Sequence, residues 1–316
     1  MLQRIRGACA RVAQRARFVR VANDVEDYLT TFDPAALSRP RYDTELHFRG
    51  DPEATVAFVL VCDAINFGSG YFPALQLPAG TTGYAAVTRA LTRWFEREGP
   101  PPPEALMRVD AVTVAELLGQ DLQHPLCSEL MHLYADALVE LGAYVASRFG
   151  GRFEALVMAA SHSAERLAVL LTEMPFYRDV WHYGALEVPL YKRAQISASD
   201  LALAFDGEAY GAFDDLDRLT IFADNVVPHV LRADGVLEYA PALARRIDAG
   251  ERLEAGSPEE IEVRALALHA VERMTAAARR RGWPVSARAF DVALWERGQR
   301  PPYRDGRAHL TLTTAY

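Results

Sequence analysis

Two aspartates stand where an aspartate needs a reason. Asp291 is flanked by Phe290 and Leu294 inside an otherwise apolar stripe, and Trp295, four positions on, shares its face of a helix. A carboxyl group in that setting is either desolvated with a raised pKa or paired with a cation or ligand. Buried carboxylates beside aromatic rings recur in sites that cleave glycosidic bonds, and a structural ion pair would leave the same pattern. Asp224 is the second. The segment 219–231 is helical by pattern, but Pro228 has no N–H for the carbonyl four residues back, which is that of Asp224. The helix is therefore expected to kink or begin there, with the carboxylate at the discontinuity. Phe222, two residues earlier, adds an aromatic plate. A plate beside an acid suits a planar heterocycle, whose ring stacks while the acid accepts hydrogen bonds from its N–H groups. A helix cap beside a core phenylalanine gives the same string.

Lys192 is singled out by counting. Of 34 basic residues it is the only lysine, the rest being arginine. A compact ammonium kept at one place in such a chain suggests a site that a planar guanidinium cannot serve, and chance survival on the surface is the alternative. His47, in Glu45-Leu-His-Phe48, and Asp63-Ala-Ile-Asn66-Phe67, directly after an apolar run, complete the candidates. An acid and an amide at the exit of a strand often face a pocket.

Other chemistries lack their residues. The histidines show no HExxH, with His124 and His132 eight apart and His162, His182 and His229 alone. The one DxD, Asp215-Leu216-Asp217, has no histidine at ligand spacing, so no metal site is expected. There is no GxSxG, and Gly68-Ser69-Gly70 lacks both the P-loop lysine and dinucleotide-binding spacing.

The elements that must position these groups are mostly helical. Apolar periodicity, caps and breakers predict helices at 83–97, 130–149 (ended by Gly150-Gly151) and 155–171 (stopped at Met174-Pro175). Ser257-Pro258-Glu259-Glu260 is a capping box that should open a helix reaching Gly282, and Ser286 should cap a last one through about Glu296. The stretch 232–247 reads as helix, an Asp234-Gly235 turn and a proline-started helix at Pro241. Strands are expected only at 55–61, 186–191 and the alternating tail 309–313. The chain of 316 residues reads as a single compact unit, 1–316, with the proline run 100–103 available to separate lobes of about 1–100 and 104–316 that share one cleft. The first 22 residues carry six arginines, which superficially resembles an organelle transit peptide. The reading adopted is an amphipathic surface helix with Ile5, Cys9 and Val12 on one side.

Composition excludes more than it assigns. Half the residues are hydrophobic, enough for a sizeable core. No apolar run approaches the roughly 18–20 residues of a bilayer span, and the longest is 54–61. A formal charge of −8 argues against sequence-blind binding to nucleic acid, which needs a basic surface to displace counterions. Three scattered cysteines, Cys9, Cys62 and Cys127, form no framework and fit a reducing cytoplasm.

Taken together, Asp63-Ala-Ile-Asn-Phe67, Tyr191-Lys-Arg-Ala-Gln195 with Asp200-Leu201, Phe222-Ala-Asp224 with Pro228, Glu260-Ile-Glu-Val-Arg264 with Ala270-Val-Glu272, and Asp291 through Leu294-Trp295 resemble the queuosine salvage protein family. The matches run in order from about His47 to Tyr316. Departures are Gly68-Ser-Gly-Tyr-Phe72, Asn225-Val226, His229 and Glu296. The resemblance implies a mainly α fold, a helical bundle related to helix-hairpin-helix DNA glycosylases with a few short strands. It also implies hydrolysis of queuosine 5′-monophosphate to queuine and ribose 5-phosphate with no cofactor. The implied partners are that nucleotide and queuine, with no nucleic acid and no membrane, the chain acting as a cytoplasmic monomer. His47, Phe222, Asp224, Asp291 and Trp295 match positions expected to line the base pocket. Lys192 and Arg193 match a block assigned to the ribose-phosphate end, with Arg264 as a helper; Asn66 and Asp200 are further substrate-binding candidates, and Asp200 and Glu296 stand in reserve for the acid roles. A DNA-base glycosylase or a non-catalytic nucleotide-binding helical module would be the alternatives.

The implied chemistry makes demands on these residues. A 7-deazaguanine has carbon where a purine has N7, so the usual protonation route for base loss is missing. A carboxylate about 4 Å from a ribosyl cation is worth roughly 4 kcal/mol at an effective dielectric near 20, and a second acid can orient water or lend a proton to the base. Asp224 and Asp291 are expected to share these tasks, in an order the sequence leaves open.

Overall fold

A computed structural model describes residues 1–23, 25–37 and 41–316. Its centre is the helix Pro258–Arg280. Proline at its first position cannot miss a bond there, Ser257 Oγ accepts the Glu260 N–H at 3.3 Å, and Glu260 Oε2 accepts the Gly256 N–H at 3.2 Å. Burial on almost every side of its first half, from Glu260 to Leu268, marks it as a core helix. The amphipathic helix Leu2–Ala13 lies along it with Leu2, Ile5, Ala8, Cys9 and Val12 buried. Beside that contact, Glu262 is fully buried. Its carboxylate accepts the Arg17, Phe18 and Val19 N–H groups and the Tyr183 hydroxyl.

The apolar run 55–61 is not a strand. It lies inside the helix Pro52–Ala64, started by Pro52 and by Asp51, whose carboxylate accepts the Ala54 N–H at 2.8 Å. Every residue from Ala54 to Ala64 is buried, because Gly83–Glu98, Pro125–Arg148, Phe153–Ala159 and Lys192–Ala204 all pack on it. A helix covered all round has no polar face, so its sequence loses the 3.6-residue period and reads as a β-branched strand.

Three other expectations change. The stretch 155–171 is two helices, Phe153–Ala159 and Ala164–Leu171. Ser161 and His162 between them adopt left-handed backbone (φ 49° and 60°), and the second helix restarts on Ser163 and on Asp215, which accepts the Ala164 N–H at 2.6 Å. The stretch 232–247 is Val226–Ala233, the strand Leu237–Tyr239 and the helix Pro241–Asp248; the strand pairs antiparallel with Val19–Val21, a long-range demand no local pattern carries. Among the described residues, the tail 309–313 makes a single bridge, Leu310 to Arg252, and no strand. The 186–191 strand is present as Leu186–Pro189, paired with Val180–Tyr183. The protein is mainly helical with a few short strands.

Several helices converge to make a cleft. Lys192–Ala204 packs on Pro52–Ala64, while Ala287–Gly298 packs on both Val226–Ala233 and Pro258–Arg280. The last approach is close enough to require Gly298, since a Cβ there would stand 2.3 Å from Val226 Cγ1.

Candidate active site

Between these elements lies a cavity of about 570 Å³, within the range that holds a nucleotide-sized ligand. Its lining includes His47, Asn66, Lys192, Asp200, Phe222, Asp224, Asp291, Trp295 and Glu296.

Asp224 ends the segment 219–224, which has no regular secondary structure, and the helix Val226–Ala233 begins two residues later. Its Oδ1 accepts the Val226 and Val227 N–H groups at 2.8 and 3.0 Å. The cap and the cleft carboxylate are thus one group. Burial pushes its pKa up, and Lys192 and the two amides pull it back. Asp291, on the helix capped by Ser286, is 5% exposed and accepts the Phe222 N–H through Oδ1 at 2.8 Å. Burial first, and the Asp224 charge second, push its carboxyl up to about 8 against the single amide, Lys192 and Arg288.

Lys192 opens its helix after Tyr191, which takes left-handed backbone (φ 51°). The buried ammonium donates to Asn66 Oδ1 at 2.9 Å and to the Asn66 carbonyl at 3.0 Å. Both acceptors are neutral, and no carboxylate lies within 4.0 Å of it among the described residues. Burial draws its pKa down, with Asp224 and Asp63 opposing. Asn66 is itself held by Asp63, whose Oδ1 accepts its amide at 3.3 Å. Asp63 is buried behind the lining. Its Oδ2 has no hydrogen-bond partner among the described residues, and burial pushes its carboxyl up to about 6. Asp200 is raised well above the carboxylate range by burial and then by Asp63, while Arg288 and Lys192 counteract. The acid and amide thus sit at a helix exit, not the strand exit expected.

Two expected cations are absent from the cleft. Consecutive residues of a helix point about 100° apart, so Lys192 and Arg193 cannot both face one cavity. Arg193 is buried on the other side, donating to the Ala64 carbonyl at 2.6 Å and to the Phe176 carbonyl, between the Phe67 and Tyr177 rings. Arg264 is fully buried and committed to Asp179, Glu260 and the Ala223 carbonyl. Among the described residues, the lysine and arginine side chains that line the cavity are Lys192, Arg41 and Arg304, the arginines exposed.

The aromatic wall holds a residue the sequence reading missed. His47 Nδ1 donates to the Asp43 carbonyl at 3.0 Å, so Nε2 is the acceptor for the Tyr84 hydroxyl at 2.8 Å. Burial lowers the pKa of His47. Tyr84 in turn packs edge-on to Trp295, centroids 5.4 Å apart. Thr82, whose side chain accepts the Ala85 N–H, was the available signal, since it places Tyr84 in the first turn of a helix. His229 also lines the cavity. Its Nε2 donates to the Tyr303 carbonyl at 2.9 Å and leaves a buried Nδ1 with no partner among the described residues. Among the described residues, no group of three or more His, Cys, Asp or Glu is placed to hold a metal ion.

Fold and cavity together define a helical protein whose site collects carboxyl groups, aromatic rings and one buried ammonium, a lining suited to a polar heterocycle. The chain belongs to the queuosine salvage protein family, which it matches over residues 46–316. It is similar to the queuosine 5′-phosphate N-glycosylase/hydrolase of Sphaerobacter thermophilus, with 39% identity over 313 residues, 97% of this chain and 95% of that protein. The proteins of the same name from Dictyostelium discoideum and Bos taurus are 31% and 33% identical. They cover 84% and 72% of this chain, and 79% and 69% of their own lengths.

Proposed function

We propose that the protein hydrolyses the N-glycosidic bond of queuosine 5′-monophosphate, releasing queuine and ribose 5-phosphate. The observation that carries this reading is the meeting of Asp224 and Asp291, 67 positions apart in sequence (291 − 224), in one cavity lined also by Phe222 and Trp295. The relatives' shared name supplies the substrate.

In this reading the two acids divide the labour, a division that their hydrogen bonds support. Asp224 is assigned the ionised role, since two amide donors and the Lys192 charge oppose the upward push of burial. It steadies positive charge on the ribose and takes a proton from the attacking water. Asp291, with one amide on Oδ1, holds its proton on Oδ2 at neutral pH and delivers it to the departing base. The bond pair of N9–C1′ leaves with the base, water oxygen bonds C1′, and the two acids exchange protonation states before solvent resets them. Phe222 and Trp295 flank the base, and His47 acts through Tyr84. Lys192 is the buried cation for the ribose-phosphate end.

The reading carries further proposals: one catalytic unit over 1–316 whose cleft draws on both sides of the proline run, a monomer, and a cytoplasmic enzyme on a free nucleotide. Kinship with helix-hairpin-helix DNA glycosylases belongs with them, without duplex binding, which a net charge of −8 disfavours. No helix among the described residues is long and apolar enough to cross a membrane.

Incubation with queuosine, its 5′-monophosphate and guanosine monophosphate, followed by chromatography, tests the function. Free queuine should appear, faster from the monophosphate. Ligand binding that protects against heat without release of base would leave only a binding module.

A further inference from the structure

Asp179 lies outside the cavity, yet it bonds one of the segments that bring the reacting groups to it and reaches the other through Arg264. Its carboxylate takes the Arg264 guanidinium at two points, Nη1 to Oδ1 at 2.9 Å and Nη2 to Oδ2 at 2.6 Å. The remaining edge of that guanidinium, Nε, donates to the carbonyl of Ala223 at 2.8 Å, the residue between Phe222 and Asp224. Asp179 Oδ2 also accepts the backbone N–H of Lys192 at 3.1 Å, and Oδ1 accepts the Trp181 indole N–H at 2.7 Å. The Phe222 amide holds Asp291. Lys192, Asp224 and Asp291 are therefore referenced to one ion pair, with Arg264 fully buried and Asp179 only 4% exposed.

A buried ion pair of this kind is a poor stabiliser, because desolvation offsets most of the attraction, and apolar residues of similar volume often do as well. Its distinctive property is geometry. A planar fork fixes two oxygens on one side and a carbonyl on the other.

We propose that Asp179 is a positioning residue for the reaction: through Arg264 and the Lys192 amide it sets the placement of the Lys192 ammonium relative to the Asp224 and Asp291 carboxyls. This rests on the assignment of those three groups to the reaction made above. Glu260 shares the Arg264 charge at 3.4 Å but accepts no bond from Lys192, so it cannot tie the two site segments together as Asp179 does.

The test compares Asp179→Asn and the milder Trp181→Phe with Glu262→Gln. Glu262 is equally buried on the same helix as Arg264, and its bonds to Arg17, Phe18, Val19 and Tyr183 lie away from the cavity. Each variant is assayed for kcat and KM on queuosine 5′-monophosphate and for Tm. The labelling rate of Lys192, the chain's only lysine, by an amine-selective reagent is followed by peptide mass mapping. Asp179→Asn should lower kcat about 30-fold, as sub-ångström misplacement does, with KM changed less than about threefold. Trp181→Phe should lower kcat by about three- to tenfold. Lys192 labelling should quicken in both variants. Glu262→Gln should lower Tm at least as much as Asp179→Asn while leaving kcat and labelling at the parent values. Parent-like kcat in folded Asp179→Asn and Trp181→Phe would overturn the proposal, as would equal kcat losses in Glu262→Gln. If Asp179→Asn does not fold, Trp181→Phe decides. If the parent itself releases no queuine, the functional reading fails separately. Lys192 labelling then judges the clamp: unchanged rates in the Asp179 and Trp181 variants sink it.

Discussion

Replacing Asp291 by asparagine should make the protein slower and, in alkaline solution, more stable. The amide keeps the shape of the side chain, and its oxygen can still accept the Phe222 N–H now bonded at 2.8 Å. What disappears is the proton. The folded carboxyl is raised from 3.8 to about 8, first by burial and then by Asp224. Below pH 3.8 the folded and unfolded chains both hold this proton. Between 3.8 and 8 the folded chain keeps it and the unfolded chain releases it, so the contribution to stability falls as pH rises, by about 1.4 kcal/mol per pH unit. Above 8 both forms are ionised and the loss is complete. From pH 5 to pH 8 the group therefore removes on the order of 4 kcal/mol, and at about 2 °C per kcal/mol the Tm falls by roughly 8 °C. Other titrating groups change in parent and variant alike, so the difference between their Tm–pH curves isolates Asp291. The asparagine variant should lack this decline. Its kcat should be lower by about 10²–10⁴-fold, the usual worth of a positioned proton donor, and its residual kcat/KM should lose the alkaline limb that the parent shows near pH 8. If the variant's Tm declines from pH 5 to 8 as steeply as the parent's, or the limb stays, Asp291 is not the stored proton.

Further outcomes follow from single bonds. Lys192→Arg cannot fit a planar fork between the two Asn66 oxygens at 2.9 and 3.0 Å, so kcat/KM should fall at least about tenfold. The loss should be larger for the monophosphate than for the nucleoside; equal losses would remove Lys192 from phosphate recognition. Tyr84→Phe deletes the donor to His47 Nε2 and should weaken queuine binding by calorimetry about three- to tenfold, whereas an unaltered Kd would leave His47 without a role through Tyr84. Glu262→Gln should cost about 2–3 kcal/mol, read from urea unfolding, because three amides and a hydroxyl lose a charged acceptor.

What the sequence displayed depended on whether a residue's reason was local. Ser257 and Ser286 announced their helices because a cap reads only the next three residues, and both caps are made. Asp291 and Trp295 could be placed together because helix spacing alone puts them on one face. Pro228 located the break at Asp224, but whether that carboxylate capped a helix or faced a pocket needed coordinates, and it does both. The run 55–61 misled because a helix buried on all sides carries no periodic polar residue. Arg193 and Arg264 misled for a different reason. A cation beside site residues in sequence resembles a ligand, and only distant partners, Phe176 for one and Asp179 for the other, reveal it as scaffold. Asp179 itself was invisible, since its meaning comes from residues 13 and 85 positions away.

The charges around the cavity do not balance if every acid is ionised. Asp63, Asp200, Asp224 and Asp291 face Lys192, Arg288 and, from behind Asp63, Arg193, and burial is the first cause of the raised pKa of each carboxyl. Acids that outnumber the cations facing them in a desolvated space are not a stable arrangement when all are ionised, so protons are retained, and the hydrogen bonds decide where. A phosphate monoester brings further negative charge to the same cavity. Its entry should therefore depend on those protons being present. KM for queuosine 5′-monophosphate should rise as pH passes about 8, where Asp291 ionises, by about tenfold per pH unit if binding takes up one proton. Binding of queuine, which has no phosphate, should weaken less over the same range. A KM flat from pH 6 to 9.5, or queuine affinity that falls in parallel with it, would show that the phosphate lies beyond the reach of these acids, at the exposed mouth of the cavity beside Arg41 and Arg304.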